Sequence, residues 1–309
     1  MDTYQLRRAI YYYHMKVQET NDPYYWFYLA DTQVRAGLTK EARQSIDKAL
    51  SFPKPFPSRQ RLLEIQAKLH SALPRENNPN TSIAASKRGD IDGDGIIDNV
   101  LLTGNKAPDS PFWRNITLFI QNGKTNHSQE ITLKNNAGYN PTLFLGDFTG
   151  NKVNDILVVI DTGGSGGAIY AYVFSHINGQ MNQIFNSDTF NKNFMYGVTY
   201  QDQYKVSVIN QKQREKYVVD LTIKGKNYLN DIYNDNGVLK GPIEGWVNPL
   251  SGLYPVDFNR DGTYELESYQ RIAGRYNADS LGFVLNVLKW NGQVFRPERK
   301  NVAIFGGEI

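Results

Sequence analysis

Asp90-Ile91-Asp92-Gly93-Asp94-Gly95-Ile96-Ile97-Asp98 packs four carboxylates into nine residues. Such crowding is costly on its own, and a hard cation that takes several oxygen ligands offsets the repulsion. Alternation turns Asp90, Asp92 and Asp94 to one side of a tight loop, Gly95 lets the backbone turn, and Asp98 closes the set, with the Ile96 carbonyl adding a backbone oxygen. The expected ion is Ca²⁺.

The closing residue decides between a helical and a β setting. An EF-hand needs a bidentate Glu at loop position 12, and that position is Leu101. The run 99–104 that follows is short, apolar and ended by Gly, which predicts a strand. The pattern returns at 257–265, where Asp257, Asn259, Asp261, Thr263 and Glu265 are candidate ligands, again with no Glu at position 12. A weaker copy at 147–155 offers Asp147, Thr149, Asn151 and Asp155, with carboxylates only at its first and ninth positions. Starting at 90, 147 and 257, the loops follow a unit of about 55 residues. A fourth unit near Asp202 has lost its loop and reads as metal-free.

Strand signals recur in register with these loops. Residues 156–160 and 168–174 are strand-like on either side of a Gly-rich turn, and 115–120 and 283–290 run into the turn dipeptides Asn122-Gly123 and Asn291-Gly292. On these motifs, residues 85–309 resemble the FG-GAP and VCBS-type repeats that form the blades of integrin-α-like β-propellers. The resemblance implies an all-β, propeller-like domain of about four blades, with Ca²⁺ in the loop joining two strands of a blade.

Residues 1–75 have helical periodicity and few glycines. Trp26, Leu29, Ala30, Gly37, Ala42, Ile46 and Ala49, followed by Pro53, are similar to a tetratricopeptide repeat over 23–56. Small residues at Ala30, Gly37 and Ala42 let antiparallel helices approach closely. A single unit makes no long peptide groove, so packing or dimerisation stands beside peptide binding as its role. The Asn- and Pro-rich stretch 76–84 reads as a linker. The expected class is therefore α+β and multidomain.

A formal net charge of +3 and the lack of a basic stripe argue against nucleic acid, and no apolar run is long enough to span a membrane. No signal peptide is apparent in residues 1–20, whereas calcium loops suit an extracellular, cell-surface or spore-associated setting. The absence of cysteine excludes disulfides and thiol catalysis.

Catalytic signals are sparse. Asp161-Thr162-Gly163 after an apolar strand is presented as in an aspartic protease, but that chemistry needs two carboxylates and no second Asp-Thr-Gly exists. The glycines at 163–167 lack a following Lys-Ser/Thr, and the four histidines are scattered. The expected function is a non-enzymatic, calcium-stabilised protein acting in protein interaction or as a surface scaffold. Two alternatives remain open: a hydrolase using Asp161 with structural calcium, and a carbohydrate-binding module using Trp113 and Trp246.

Overall fold

The computed structural model describes residues 3–36, 38–52, 58–71 and 81–306. It divides into two compact units, Met1–Pro79 and Asn80–Ile309.

The first unit is helical, with α1 (Thr3–Thr20), α2 (Pro23–Arg35), α3 (Thr39–Leu50) and α4 (Arg59–Ser71). Asp22 caps α2 by accepting the Tyr24 N–H at 2.9 Å, and Pro23 opens its first turn. Ala30 of α2 meets Ala42, Ile46 and Ala49 of α3 in a core completed by Phe27 and Leu62, with Trp26 at its margin. Small side chains at this contact permit the close helix approach that the sequence indicates. Gly37 and Pro53 of the helical pattern lie outside the described residues. Tyr13 stacks on Tyr28, whereas Tyr11 and Tyr12 are exposed.

The second unit contains three antiparallel sheets. β1 (Thr81–Gly89), β2 (Asp98–Lys106), β3 (Trp113–Gln121) and β4 (Ser128–Thr132) form a meander, and so do β5 (Tyr139–Gly146), β6 (Asp155–Asp161), β7 (Ile169–Ile177) and β8 (Gln180–Asn186). After α5 (Ser187–Asn193) come β9 (Gly197–Gln201), β10 (Lys205–Asn210) and β11 (Glu215–Asp220), then α6 (Lys226–Ile232). The chain continues through β12 (Glu244–Val247), β13 (Gly252–Val256), β14 (Glu265–Ala273), β15 (Ser280–Trp290) and β16 (Phe295–Ala303). These last eight strands make one sheet, ordered β11-β10-β9-β12-β14-β15-β16 with β13 added on β14. Because β1 starts at Thr81, residues 81–84, read above as linker, are strand.

The expectation of about four blades is corrected here. The third and fourth units merge because β12 pairs with β9 on one side and β14 on the other, and the product is a near-barrel rather than two blades. Lys300 on β16 forms an ion pair with Glu215 on β11, joining the two ends of the strand order through side chains.

The middle sheet is buried on both faces, which explains the unbroken apolar run at 156–160. Ile156, Val158 and Ile160 face a core shared with Val100, Leu102 and Leu118 of the first sheet. Leu157 and Val159 face a second core shared with Val206, Leu266, Val284 and Leu288 of the third. Alternation sends successive residues of one strand to opposite cores. No helix among the described residues is long and apolar enough to cross a membrane.

Candidate metal centre

All three loops are hairpin connections in one register. The residue before each loop pairs with its ninth position: Gly89 with Asp98, Gly146 with Asp155 and Val256 with Glu265. Within each loop the first aspartate organises the turn. Asp90 accepts the Gly93 and Gly95 N–H groups at 2.7 and 2.9 Å, and Asp147 accepts those of Gly150 and Lys152, both at 2.6 Å. Asp257 accepts those of Asp261 and Gly262 at 3.1 and 3.0 Å. The fifth position accepts from the seventh, Asp94 from Ile96, Asn151 from Val153 and Asp261 from Thr263. The sixth position has a left-handed backbone throughout, at Gly95 (φ 82°), Gly262 (φ 86°) and Lys152 (φ 65°), so the middle loop holds a non-glycine residue in a strained conformation.

Their ligand sets differ. One oxygen each from Asp90, Asp92 and Asp98 lies within 4.8 Å of the others, the only such grouping of Asp, Glu or His among the described residues. Asp98 is 1% exposed, and its oxygens accept the Ile91 and Gly123 N–H groups, both at 2.8 Å. A Cβ at Gly123 would strike the Ile97 carbonyl, so glycine is required for that approach. Asp92 accepts from the Asn122 amide at 2.6 Å. Asp94 is not in the group: it is exposed, and Lys124 lies 3.7 Å from it. No ion pair reaches Asp90, Asp92 or Asp98 among the described residues. Three converging carboxylates without a counter-charge fit a hard cation, which would be held by Asp90, Asp92 and Asp98 and would neutralise them.

In the second loop only Asp147 and Asp155 are acidic. Asp155 is 1% exposed and accepts from Phe148 and Thr149, leaving Oδ1 buried with no hydrogen bond. Burial pushes its carboxyl up, against the pull of these backbone N–H groups. Thr149 Oγ1 turns to Asp147 at 3.4 Å. In the third loop Glu265 is buried at the ninth position, but Lys289 Nζ lies 3.1 Å from its Oε1. Asn259 and Asp261 are exposed, and Asp257 and Thr263 are half-buried. A lysine there competes with any cation. Lys289→Gln is therefore expected to lower the melting temperature in chelator, because Glu265 loses its partner, and to enlarge the rise caused by Ca²⁺. Thermal melts of both proteins in EDTA and in Ca²⁺ check this, and equal calcium responses would contradict it.

The loops are joined to one another by a repeated contact. Asn154 N–H, at the eighth position of the second loop, donates to the first-position carbonyl of Asp90 at 3.1 Å. Tyr264 N–H, at the eighth position of the third, donates to the first-position carbonyl of Asp147 at 2.7 Å. The middle loop thus links its neighbours even with few ligands. Near Asp202 a tight turn replaces the loop, with Gln203 and Tyr204 both at positive φ.

The other singled-out residues fall elsewhere. Asp161 accepts from Asn140 Nδ2 at 3.1 Å and is in no acidic group among the described residues. The glycine turn beside it docks on β14, where Arg271 donates to the Ser165 carbonyl at 2.8 Å. Trp113 packs at the edge of the first core, and Trp246 is 39% exposed with its indole N–H given to Asn248 at 2.8 Å. His127 and His176 line a cleft of about 520 Å³ beside Asp92 and Asp98.

A second polar cluster carries no motif in the sequence. Asp279, nearly buried, accepts from the Tyr228 and Tyr200 hydroxyls at 2.8 and 3.3 Å, the Arg275 N–H at 3.1 Å and Lys224 Nζ at 3.3 Å. Burial works to raise its carboxyl, but these donors outweigh it and hold Asp279 below the usual carboxylate range. Burial pushes the Tyr200 phenol up to about 12 and Tyr228 further, so both act as neutral donors.

Residues 194–303 match the model of the family described as the YybI C-terminal domain. Over 240 residues the chain is 62% identical to a protein of Bacillus subtilis (strain 168) named "Uncharacterized protein YybI", covering 78% of this chain and 92% of that one. These matches, with the merged third sheet, overturn the resemblance to FG-GAP and VCBS-type propellers carrying a tetratricopeptide segment. The shared nine-residue hairpin loop produced that resemblance.

Proposed function

The chain belongs to the YybI family, and on that footing we propose that it is a non-enzymatic calcium-binding protein, a stacked-sheet scaffold that presents surfaces to another protein. Ca²⁺ bound by Asp90, Asp92 and Asp98 fixes the β1–β2 connection. The observation that carries this is the convergence of those three carboxylates without a counter-charge. Through the Asn154 to Asp90 contact, the same ion steadies the junction with the middle sheet. Exposed Trp246, Tyr254 and Tyr276 on the third sheet and its loops supply apolar contact area for a partner. Three carboxylates suit a weak site, with a dissociation constant on the order of 10⁻⁴ to 10⁻³ M, matched to an extracellular calcium level.

Thermal unfolding tests the proposal. Ca²⁺ at about a hundred times its dissociation constant is expected to add about 2.7 kcal/mol per site. Asp98→Asn removes that gain while keeping the side chain's size. Equal melting temperatures of the natural protein in chelator and in saturating Ca²⁺ would sink it.

A further inference from the structure

We propose that the cleft at the end of β2 opposite Asp98 binds an organic anion, a phosphate or carboxylate carried on an apolar group. The cleft encloses about 490 Å³, and Asn105, Lys106, Pro108, Ser110, Phe112 and Arg114 are among its walls. A β-bulge builds it. Thr103 pairs with Thr117, but Asn105 already pairs with Arg114, so β3 carries an extra residue there, and Asn115 takes a left-handed backbone (φ 53°). The bulge sets Arg114 opposite Asn105 and Trp113 opposite Lys106, and at this strand end Lys106 and Arg114 both line the cleft.

Each cation is held over an aromatic ring, Lys106 Nζ 5.4 Å from the Trp113 centroid and the Arg114 guanidinium 5.5 Å from that of Phe112. Phe112 is itself fixed edge-on against Tyr139 at 5.0 Å. Neither cation belongs to an ion pair among the described residues. The neutral groups also leave donors free. Ser110 Oγ accepts the Phe112 N–H at 3.2 Å, so its proton is available. The Asn105 carbonyl oxygen takes the Asn115 amide at 3.1 Å, which leaves the Asn105 NH₂ to donate. No carboxylate lines the cleft, although Asp109 stands exposed on the same loop.

A wall of donors with two uncompensated cations selects an acceptor-rich anion. The volume exceeds what an inorganic ion fills, and Phe112 and Pro108 give an apolar surface for the rest of the ligand. The cleft needs no metal, so it stands apart from the calcium loop.

Titration calorimetry of the full chain, in EDTA and again in Ca²⁺, with phenyl phosphate, benzoate, inorganic phosphate and phenol tests it. Phenyl phosphate or benzoate is expected to bind in both buffers, the tighter one naming the anionic group, with inorganic phosphate weaker and phenol silent. Lys106→Gln and Arg114→Gln are each expected to weaken binding by about tenfold with an unchanged melting temperature. The proposal is overturned if phenol binds as well as phenyl phosphate, if no anion binds at millimolar concentration, or if the double variant binds as the natural protein does. Inorganic phosphate binding as tightly as phenyl phosphate would overturn the apolar part of the ligand class.

Discussion

Asp279→Ala is expected to destabilise the protein by about 3–5 kcal/mol, the cost of leaving buried partners of a charge unpaired. Its carboxylate gathers the Tyr228 and Tyr200 hydroxyls, the Arg275 N–H and Lys224. Without it, Lys224 retains, among the described residues, only the Ser280 carbonyl and the face of the Tyr228 ring. The loop carrying Arg275 then loses its Asp279 contacts to Lys224 and Tyr228. Urea unfolding at neutral pH in EDTA measures the loss, and a change below about 1 kcal/mol would show the cluster to be merely solvated surface. The same residue predicts a pH dependence. Its folded pKa is depressed, so its stabilisation is fully present above the unfolded value of about 3.9 and is lost as pH falls through the folded value. Asp279→Asn is expected to flatten the stability curve below about pH 4 relative to the natural protein.

Phe148→Ala is expected to cost a similar amount, about 3–5 kcal/mol. Phe148 occupies the second position of the middle loop, is 1% exposed and lies against Phe144, Tyr264 and Phe295. It therefore ties the loop to strands of both the second and third sheets. Phe258, at the same position of the third loop, is 40% exposed, so Phe258→Ala is the natural control and is expected to change stability little. Equal losses for the two variants, read from urea midpoints, would contradict the assignment of the middle loop as a core anchor.

The contrast between these residues explains how far the sequence could be read. The three loops were legible because their backbone scheme depends on local features, a first-position Asp, small or left-handed sixth positions and an acid at the ninth. The helical hairpin was legible for the same reason, since Ala30, Ala42 and Ile46 show the spacing of a packed face. The merged eight-stranded sheet was not, because it depends on β12, only four residues long and lacking a strand-like apolar alternation. Nor was the part played by Asn122 and Gly123, readable only as a turn, which complete the Asp92 and Asp98 environment from 30 and 25 residues away across a strand pair. The Lys289 to Glu265 pair was equally hidden, and it separates two loops that look alike in sequence. Tyr200, Lys224, Tyr228 and Asp279 are dispersed along the chain and meet only through the third sheet.

Calcium titration with a count of bound ions tests the central claim most directly. Equilibrium dialysis of the natural protein against millimolar Ca²⁺ is predicted to find a bound ion that disappears in both Asp92→Asn and Asp98→Asn, with the two variants still folded. No bound ion in the natural protein, or the same number retained in both variants, would contradict it.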